Sequence, residues 1–521
     1  MSIRGRFEQW IEAPRKNEPL CSEQSRFDIS KEYNQPVFTG SGGYEKNLDY
    51  IKALIGINED IFIREISLPD GRKASVVMVE GMYDKRVVEQ TILFTVKTAD
   101  KLEQEEQEEG ESDISQLFSN ERIVPETSLS KSYLLMLSGD PMLVAEYEPT
   151  VFNISSRYIV GRGVEQSPNE GSIRAPHESF CETLRLNTAL LRKRVSDPNL
   201  TIENMSVGLR SHTAVCVCYI TGVTNMKIVE DVKERIRNVN TDIVGDAGKL
   251  EQLIEENPYS IFPEYDGSEL PDKVAGALCE GRVIVMADGS PFALILPTTL
   301  LSMLQVNEDN YHRWSYTILV KVLRILGVLI SIYLPSLYIC AVSFNSNILP
   351  LELLIFTYLN RISVPFVAVV EILLLEGTME FLREANTRMP SKIGTALSIV
   401  GGIIIGDATI RAGIVSPLPI IVVALSTIAS YVIPACSLSN TFRLIKYFQI
   451  LMSASLGLFG FHIGVIITVS QLAVKESFGA SFLAPVSPIE KKTAFAYILQ
   501  LPTRLRNFRP KHLNPIDHKS S

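Results

Sequence analysis

Two ionisable side chains lie four positions apart inside an apolar run of the sequence. Asp407 and Arg411 fall within Ile393–Ile414, and ionisable residues in such runs are costly, usually paired or functional. On a helix this spacing, with the acid first, lets the two side chains pair directly. One interpretation is a neutralised pair beside glycines that pack helices together. The other is a helix, with Gly406 and Thr409, that lines a water-filled pore where acids favour cations.

A second apolar run, Leu349–Gly377, also carries ionisable residues. Arg361 is interpreted as a side chain that reaches the membrane interface, or as part of a gate or partner contact. Pro365 removes a backbone donor and predicts a kink between Arg361 and Glu371. The pore or gating candidates are Asp407, Arg411, Thr409, Gly406, Arg361 and Glu371. The charges that follow at helical spacing predict an interfacial, salt-bridged helix rather than a site: Glu376, Glu380, Arg383 and Glu384.

Charged residues in the first part of the chain are candidates for contacts with another subunit. Phe180–Val195 has leucines at helical spacing and ends in Arg192-Lys193-Arg194. A solvated helix end stabilised by cations explains these basic residues equally well. Glu269 and Asp272 are interpreted as starting or capping a helix over Lys273–Leu278. The subunit-contact candidates are Arg174, Glu178, Arg192, Arg194, Glu269 and Asp272.

Enzyme motifs are incomplete in this sequence. The segment from Gly245 to Leu250 resembles a phosphate-binding loop, but Ile243 stands at the first glycine position and Leu250 at the Ser/Thr position. The six histidines show no metal-ligand spacing, and the seven cysteines include no C-x-x-C pair. We therefore expect no enzyme activity, no cofactor and no metal site.

Long apolar helices must position the candidates in the second half of the chain. A helix needs about 20 apolar residues to cross the hydrocarbon core of a bilayer, and a soluble protein rarely places several such runs in series. The runs predict a membrane domain over residues 313–475. They are Ile318–Val342, Leu349–Gly377, Ile393–Ile414, Leu418–Cys436 and Phe448–Leu472.

Basic residues between these runs predict the orientation of the domain. The positive-inside rule places all of them on the cytosolic side. The last run is uncertain, because the basic tail Arg504–Lys511 would lie outside after a single crossing, whereas Gly457, Gly460 and Gly464 allow a bent or hairpin insertion. We expect four to five spans. The three basic clusters are Arg313, Lys321 and Arg324; Arg383, Arg388 and Lys392; and Arg443 and Lys446.

The rest of the chain is predicted to be water-soluble and cytosolic. The start has no apolar signal segment, and the net charge of −9 argues against nucleic acid as a partner. Strands alternate with helices, which predicts an α/β region. Its expected parts are a flexible arm (1–45) and two subdomains (46–130 and 131–312), with a C-terminal tail (476–521) after the membrane domain.

Local patterns predict individual elements of the soluble region. Ile61–Leu68 and Lys73–Val79 are predicted strands, and Ser132–Tyr147 a strand, turn and strand. Lys227–Asn240 is a predicted helix, and Arg282–Leu296 a hairpin turned at residues 288–290. The acidic run Lys101–Ser112 is interpreted as a solvated loop or helix end, less readily as an interaction patch.

An ordered string of motifs runs along the chain from roughly Asn47 to Pro515. The motifs are Arg162-Gly163-Val164-Glu165 through Arg174–Phe180, Asn187 and Leu191–Arg194; Ser268–Asp272, Glu280-Gly281-Arg282 and Asp288–Pro291; Pro365-Phe366 with Glu371, Phe381–Ala385 and Arg388-Met389-Pro390; and Ser477-Phe478-Gly479 with Ala484-Pro485. Together they resemble one family, the A subunits of spore germinant receptors (the GerA-type spore germination proteins). Ala175, His177, Ser179, Leu270 and Asn386 depart from the family pattern, which puts in doubt any role that needs the arginines lost there.

The resemblance implies a two-part cytosolic α/β region followed by an α-helical polytopic domain in the spore inner membrane. It implies a transporter-like B subunit that recognises the germinant and a C-subunit lipoprotein as partners. It also implies a homo-oligomeric, ligand-gated channel that releases monovalent cations. A non-conducting scaffold that relays the germinant signal, and a paralogous sporulation membrane protein, stay open as alternatives. A transporter is disfavoured because the sequence shows no internal repeat.

Overall fold

The computed structural model describes residues 35–40, 42–67, 72–91, 123–158, 170, 174, 176–388, 404–490, 493–494, 497 and 509–517. Several sequence predictions lie outside these residues and stay predictions. They concern the arm up to residue 34, the acidic run Lys101–Ser112, the motif Arg162–Glu165 and residues 393–403 of the third apolar run.

The first subdomain is a five-stranded antiparallel sheet with helices packed against one face, and it continues to residue 154, beyond the predicted boundary at residue 130. The strand order is β1-β2-β4-β5-β3. Side chains of both helices, such as Ile51 and Tyr133, form one core with Val77 of β2 and Val144 of β4. The elements are Gly43–Ile55 (α1), Ile61–Ser67 (β1), Lys73–Val79 (β2), Ile123–Glu126 (β3), Leu129–Leu137 (α2), Met142–Ala145 (β4) and Val151–Ile154 (β5).

The predicted first strand of Ser132–Tyr147 is wrong, because α2 occupies this part of the chain. The hydroxyl of Ser128 accepts a hydrogen bond from the backbone N–H of Lys131 (3.4 Å) and caps the helix. Leu129, Tyr133 and Met136 are buried at helical spacing. The predicted turn and the strand after it are present, at Gly139 and in β4.

The second subdomain is a three-layer unit with helices on both faces of a sheet. The strand order is β6-β7-β9-β10-β8. One face packs against α4 and α5 through Val229, Val232 and Leu250, and the other against α3 and α6 through Leu191 and Leu278. The elements are Leu184–Arg194 (α3), Leu200–Val207 (β6), Thr213–Ile220 (β7), Met226–Arg237 (α4), Ala247–Ile254 (α5), Asp266–Ser268 (β8), Pro271–Glu280 (α6), Val283–Ala287 (β9) and Ala293–Leu296 (β10).

The predicted α/β class is confirmed, and the structure adds how the strands pair. The strand pairs of both five-stranded sheets are antiparallel. The predicted helix over Lys227–Asn240 is α4, and the predicted hairpin is β9–β10. Gly289 lies in its turn with φ 84°, a conformation that glycine adopts without strain.

Within the described part of the helical domain, two helices are long and apolar enough to cross a membrane: Trp314–Phe344 and Cys436–Val474. The first consists of Trp314–Ile339 (α8) and a π-helical turn, Cys340–Phe344. The second run is broken into Leu351–Arg361 (α9) and Ala368–Arg388 (α10), with Pro365 in the break. The short helix Leu300–Met303 (α7) precedes α8. After α10 come two further short helices, Thr409–Arg411 (α11) and Pro417–Ser430 (α12), and then the long helix Cys436–Val474 (α13).

The long helix α13 is folded back on itself at Gly457. This glycine has φ 60° and ψ −139°. The side-chain amide of Gln449 donates to the carbonyl of Phe461 at 2.7 Å, although residues 12 apart lie about 18 Å apart along a straight helix. A Cβ at Gly460 would overlap the Met452 carbonyl. The last apolar run is therefore a helical hairpin, one of the two arrangements that the sequence allowed.

Both ends of this hairpin lie beside the second subdomain, and its tip lies at the far end of α8. A Cβ at Gly457 would meet the Phe344 ring at 2.8 Å. At the base, the hydroxyl of Thr441 donates to the carbonyl of Ile261 (2.6 Å). Beyond the hairpin, Phe478 enters the core of the second subdomain. The described part of the C-terminal tail thus lies on the same side of the helical domain as the α/β region.

Candidate functional site

Glu371, in the first turn of α10, lies at the break in the second apolar run. Its side chain is fully buried. One carboxylate oxygen accepts hydrogen bonds from the backbone N–H (2.9 Å) and the hydroxyl (2.8 Å) of Ser416. Arg361, the last residue of α9, lies 3.3 Å from the other oxygen. The structure therefore brings together two predicted gating residues, and their ion pair closes the break around Pro365.

One helical turn and a half further along α10, Glu376 forms a buried ion pair with Lys446 of the hairpin. Their side chains are 1% and 4% exposed. The hydroxyl of Ser426, on α12, also donates to Glu376 (3.3 Å). This pair links three helices. The sequence assigned Lys446 to a basic cluster and Glu376 to an interfacial helix, so the structure corrects both placements: the two residues lie inside the bundle.

A third carboxylate of α10, Glu380, lies between two basic clusters. It pairs with Arg383 on its own helix (3.1 Å) and with Arg443 of the hairpin (3.0 Å). All three side chains are partly exposed. This arrangement is the salt-bridged helix that the sequence predicts here, and it brings Arg383 of the second basic cluster close to Arg443 of the third.

These ion pairs carry an electrostatic cost that the bundle offsets by pairing. Moving an ion into a protein interior costs several kcal/mol, and removing one partner of a buried pair costs about 3–5 kcal/mol. Glu371, Glu376 and Glu380 therefore hold α10 in register against α9, α12 and α13. A rearrangement of these helices has to exchange or break these pairs, which makes them candidates for a gating element.

The predicted pair Asp407–Arg411 forms, with 2.8 Å between the carboxylate and the guanidinium. Asp407 lies in a π-helical turn, Ile404–Ala408, and Arg411 ends α11. The two side chains are 57% and 78% exposed, and Gly406 and Thr409 are half-buried. The pairing that the spacing predicts is thus present on the surface of a single chain. A pore-facing role stays a prediction.

In the α/β region, Arg192 is completely buried. Its guanidinium donates to both carboxylate oxygens of Asp60 (2.7 and 2.9 Å) and to the carbonyl of Leu200. Leu200 lies in β6, and the side-chain oxygen of Asn58 contacts the same strand by accepting a hydrogen bond from the backbone N–H of Ile202 (2.8 Å). Burial removes Arg192 from the predicted contact surface. It joins the first subdomain to the second instead.

Other predicted contact residues form a network at the surface of the second subdomain. Glu178 pairs with Lys193 (2.6 Å) and Arg194 (2.7 Å), and Arg194 also pairs with Asp272 (3.0 Å). Burial opposes ionisation of Glu178, but hydrogen bonds and charges from the two cations outweigh it and lower its pKa. Asp272 in turn accepts from the hydroxyl of Tyr311 (2.9 Å), close to the start of α8.

The remaining two candidates differ in exposure. Arg174 is exposed, so it stays a candidate for contact with another chain. Glu269 is 2% exposed and directly precedes the N-cap of α6, Leu270. Because α6 begins at Pro271 and its N-cap is Leu270, neither Glu269 nor Asp272 caps the helix. Both residues nevertheless lie at the helix start, as the sequence predicts, and Asp272 is in the first turn.

Sequence reasoning missed the connection between the α/β region and the helices. Glu264 is buried, and its carboxylate lies 2.6 Å from the ammonium group of Lys475, which follows the hairpin. The hydroxyl of Ser477 donates to the backbone carbonyl of Glu264 (2.7 Å). The sequence holds no local signal for these contacts, since the two segments are more than 200 residues apart.

The base of α8 is tied to the α/β region in the same way. Arg324 donates to the carbonyl of Leu304 (2.6 Å) and pairs with Asp309 (2.9 Å), and Lys321 donates to the carbonyl of Tyr497 (3.0 Å). Two residues of the first basic cluster are therefore buried structural contacts. Among the described residues, no group of three or more His, Cys, Asp or Glu side chains is arranged to hold a metal ion.

Comparison with known proteins identifies relatives over nearly the whole chain. Residues 49–512 match the family described as Bacillus/Clostridium GerA spore germination protein. Spore germination protein KA of Bacillus subtilis (strain 168) is 32% identical over 495 residues, 94% of this chain and 89% of that protein. Spore germination protein B1 of the same organism is 33% identical over 475 residues, 91% of this chain and 98% of that protein.

One solved structure among the matches covers half of the chain. It is the N-terminal domain of the A subunit of the Bacillus megaterium spore germinant receptor GerK3. It is 26% identical to this chain, covers 50% of it and 96% of the solved chain, and has a TM-score of 0.39.

Proposed function

We propose, from the premise that this chain belongs to the Bacillus/Clostridium GerA spore germination protein family, that it is the A subunit of a spore germinant receptor. In this proposal the helical domain crosses the spore inner membrane several times, and the α/β region lies in the cytosol. Relatives named as spore germination proteins along nearly the full length of the chain support the receptor role.

We further propose that the helical domain forms an ion channel that releases monovalent cations. The observation that carries this step is the buried pair Glu376–Lys446 within an apolar bundle. Ionisable residues inside such a bundle are expensive and commonly mark ion pathways or gates. The exposed pair Asp407–Arg411 would line the pore once several copies assemble, because its side chains are not covered by the described part of a single chain.

The proposal includes three kinds of partner. A transporter-like B subunit would recognise the germinant, a C-subunit lipoprotein would complete the receptor, and further copies of this chain would form the pore. The contacts of Glu264 with Lys475 and of Ile261 with Thr441 support transmission of a signal from the α/β region to the hairpin. No nucleic acid is expected to bind, since the net charge is −9.

Cation flux from liposomes that contain the purified protein, alone and with the B and C partners, tests the channel. Asp407→Ala should change the flux if this acid faces the pore. Glu384→Ala is a matched control, because Glu384 also forms an exposed ion pair with an arginine four residues later and should leave the flux unchanged.

The alternative is a non-conducting scaffold that relays the germinant signal to another protein. The ties between the α/β region and the helices suit that role as well. Absence of flux from liposomes with confirmed insertion and assembly would favour the scaffold. Normal cation flux from liposomes that contain the Asp407→Ala variant would refute the pore-facing position of this residue. The family assignment would be unaffected.

A further inference from the structure

The short loop between α5 and β8, residues 255–265, has exposed aromatic and apolar side chains. The buried carboxylate of Glu264 accepts hydrogen bonds from the backbone N–H groups of Glu256 (2.9 Å) and Asn257 (3.4 Å). The hydroxyl of Ser260 donates to the carbonyl of Phe262 (3.1 Å). The loop is thus held in one conformation by its own polar groups.

This loop lies against the base of the hairpin. The carbonyl of Ile261 accepts from the hydroxyl of Thr441 (2.6 Å). Phe262 packs into one core with Leu438 and Phe442 of α13. Glu264, which closes the loop, also pairs with Lys475 at the other end of the hairpin. The loop therefore contacts both arms of the hairpin at the same level.

That level has the chemistry of a membrane–water interface. Arg443, two residues after Thr441, pairs with Glu380, and the guanidinium of Arg383 lies 5.6 Å from the centre of the exposed Tyr431 ring. Tyrosine and arginine concentrate where helices leave the hydrocarbon core. From Thr441 to the hairpin tip a helix rises about 24 Å, close to the roughly 30 Å of a bilayer core.

The side chains at the tip of the loop are exposed although they are large and apolar. Tyr259 is 94% exposed and Ile261 is 41% exposed. A tyrosine combines an apolar ring with a polar hydroxyl, which suits the headgroup region of a bilayer better than bulk water. The bilayer is the occupant that the position favours, since the loop is continuous with the base of the membrane-crossing hairpin.

We propose that residues 257–261 form an interfacial anchor, in which the Tyr259 ring inserts among the lipid headgroups and holds the second subdomain against the membrane. The anchor rests on the proposed insertion of the helical domain in a bilayer. Because Glu264 closes the loop and also pairs with Lys475, the anchor and the hairpin base form one unit.

Depth-dependent fluorescence quenching tests the anchor in the full-length protein reconstituted in phosphatidylcholine/phosphatidylglycerol vesicles. Both native tryptophans, Trp10 and Trp314, are replaced by Phe, and a single tryptophan is introduced by Tyr259→Trp. Lipids that carry a spin label near the headgroup should quench it by more than about half, and labels deep in the acyl chains much less. The deep reference is Leu451→Trp in α13, which lies about 15 Å from Thr441 toward the hairpin tip. The aqueous reference is Tyr147→Trp in the first subdomain, and the two residues are 59% and 66% exposed.

The outcomes separate failure of the anchor from failure of membrane insertion. If deep labels quench the tryptophan of Leu451→Trp while that of Tyr259→Trp is quenched only by aqueous acrylamide, like that of Tyr147→Trp, the loop lies in water and the anchor is wrong. If neither lipid labels nor acrylamide reach the tryptophan of Tyr259→Trp, a protein surface covers the loop, and the anchor is again wrong. If deep labels fail to quench the tryptophan of Leu451→Trp, the helical domain is not inserted in the bilayer and the anchor is wrong as well.

Discussion

Glu264 of the second subdomain and Lys475 at the end of the hairpin lie 211 positions apart in sequence and form an ion pair of 2.6 Å. Both side chains are at least nine-tenths buried. The carboxylate also accepts from two backbone N–H groups of its own loop. One buried acid thus organises a loop of the α/β region and fixes the end of the helical hairpin to it.

We expect Lys475→Met to weaken this junction, because Glu264 then stays buried without its counter-charge. The expected loss is about 2 kcal/mol, less than for a fully isolated charge, since the backbone amides still satisfy part of the carboxylate. Hydrogen exchange of residues 255–264 in the detergent-solubilised protein should accelerate. Lys249→Met, at an exposed lysine of α5, is the control, and equal exchange in both variants would contradict the prediction.

The pair Glu376–Lys446 should behave as a unit. Lys446→Met and Glu376→Gln are each expected to lower the free energy of unfolding, with about 3–5 kcal/mol lost when the remaining partner stays charged. The double variant Glu376→Gln/Lys446→Met removes both charges and should recover part of the loss. Thermal unfolding in detergent measures the coupling. Additive losses in the double variant would show that the two side chains do not interact.

Arg192→Ala should destabilise the contact between the two subdomains, because Asp60 is then left buried without a partner. The expected cost is about 3–5 kcal/mol. Arg174→Ala removes an exposed arginine and should change the free energy of unfolding by less than about 0.5 kcal/mol. Denaturant unfolding, monitored by hydrogen exchange of the backbone amides of β6, distinguishes the Arg192→Ala variant from the Arg174→Ala variant. Equal stability of the two variants would overturn the assigned role of Arg192.

Gly457→Ala should strain the hairpin tip. An alanine there needs φ 60° with ψ −139°, and its Cβ would lie 2.8 Å from the Phe344 ring. Such backbone strain costs about 1–3 kcal/mol, with the steric overlap added. Gly377→Ala is the matched control, since no atom lies within 4 Å of a Cβ at that position and alanine favours helix. Protease accessibility around the tip and thermal unfolding compare the two, and an unchanged Gly457→Ala variant would contradict the sharp turn.

A pH dependence follows from Glu251 on α5. Burial, with the charges of Glu255 and Asp266, raises the pKa of Glu251 to about 7 from its ordinary value of 4.5. Between pH 4.5 and about pH 7, Glu251 holds its proton in the folded chain and loses it in the unfolded chain. This residue therefore lowers the free energy of unfolding as the pH rises through that range.

Glu251→Gln should remove this contribution and make the second subdomain more stable than wild type at pH 8, with little difference at pH 4.5. Unfolding midpoints across this range measure the effect. Glu234→Gln, at an exposed acid on α4, should leave the pH profile parallel to wild type. A profile of Glu251→Gln that also stays parallel to wild type would contradict the raised pKa.

Much of the local structure could be predicted from sequence because local forces decide it. The period of apolar residues is sufficient for α4, and the turn residues are sufficient for the β9–β10 hairpin. The same reasoning fails at Leu129–Leu137, where a leucine-rich segment suits either a strand or a helix and packing against the sheet selects the helix.

The candidate site divides along the same line. The spacing of Asp407 and Arg411 was sufficient to predict their pairing, because both partners lie on one helical segment. The partners of Glu371, Glu376 and Glu264 lie on other elements, between 10 and 211 positions away. A sequence records the charge of each residue, but not which charges meet when helices pack.

By itself, the sequence determined the family, the two-part α/β region, the apolar helical domain and the position of the glycines that permit a hairpin. Only the tertiary structure decided that the hairpin forms, that Arg192 is buried rather than exposed, and that Glu264 joins the α/β region to the hairpin base. The physical reason is range: backbone propensity and apolar period act within a few residues, whereas burial and ion pairing are settled by contacts between distant segments.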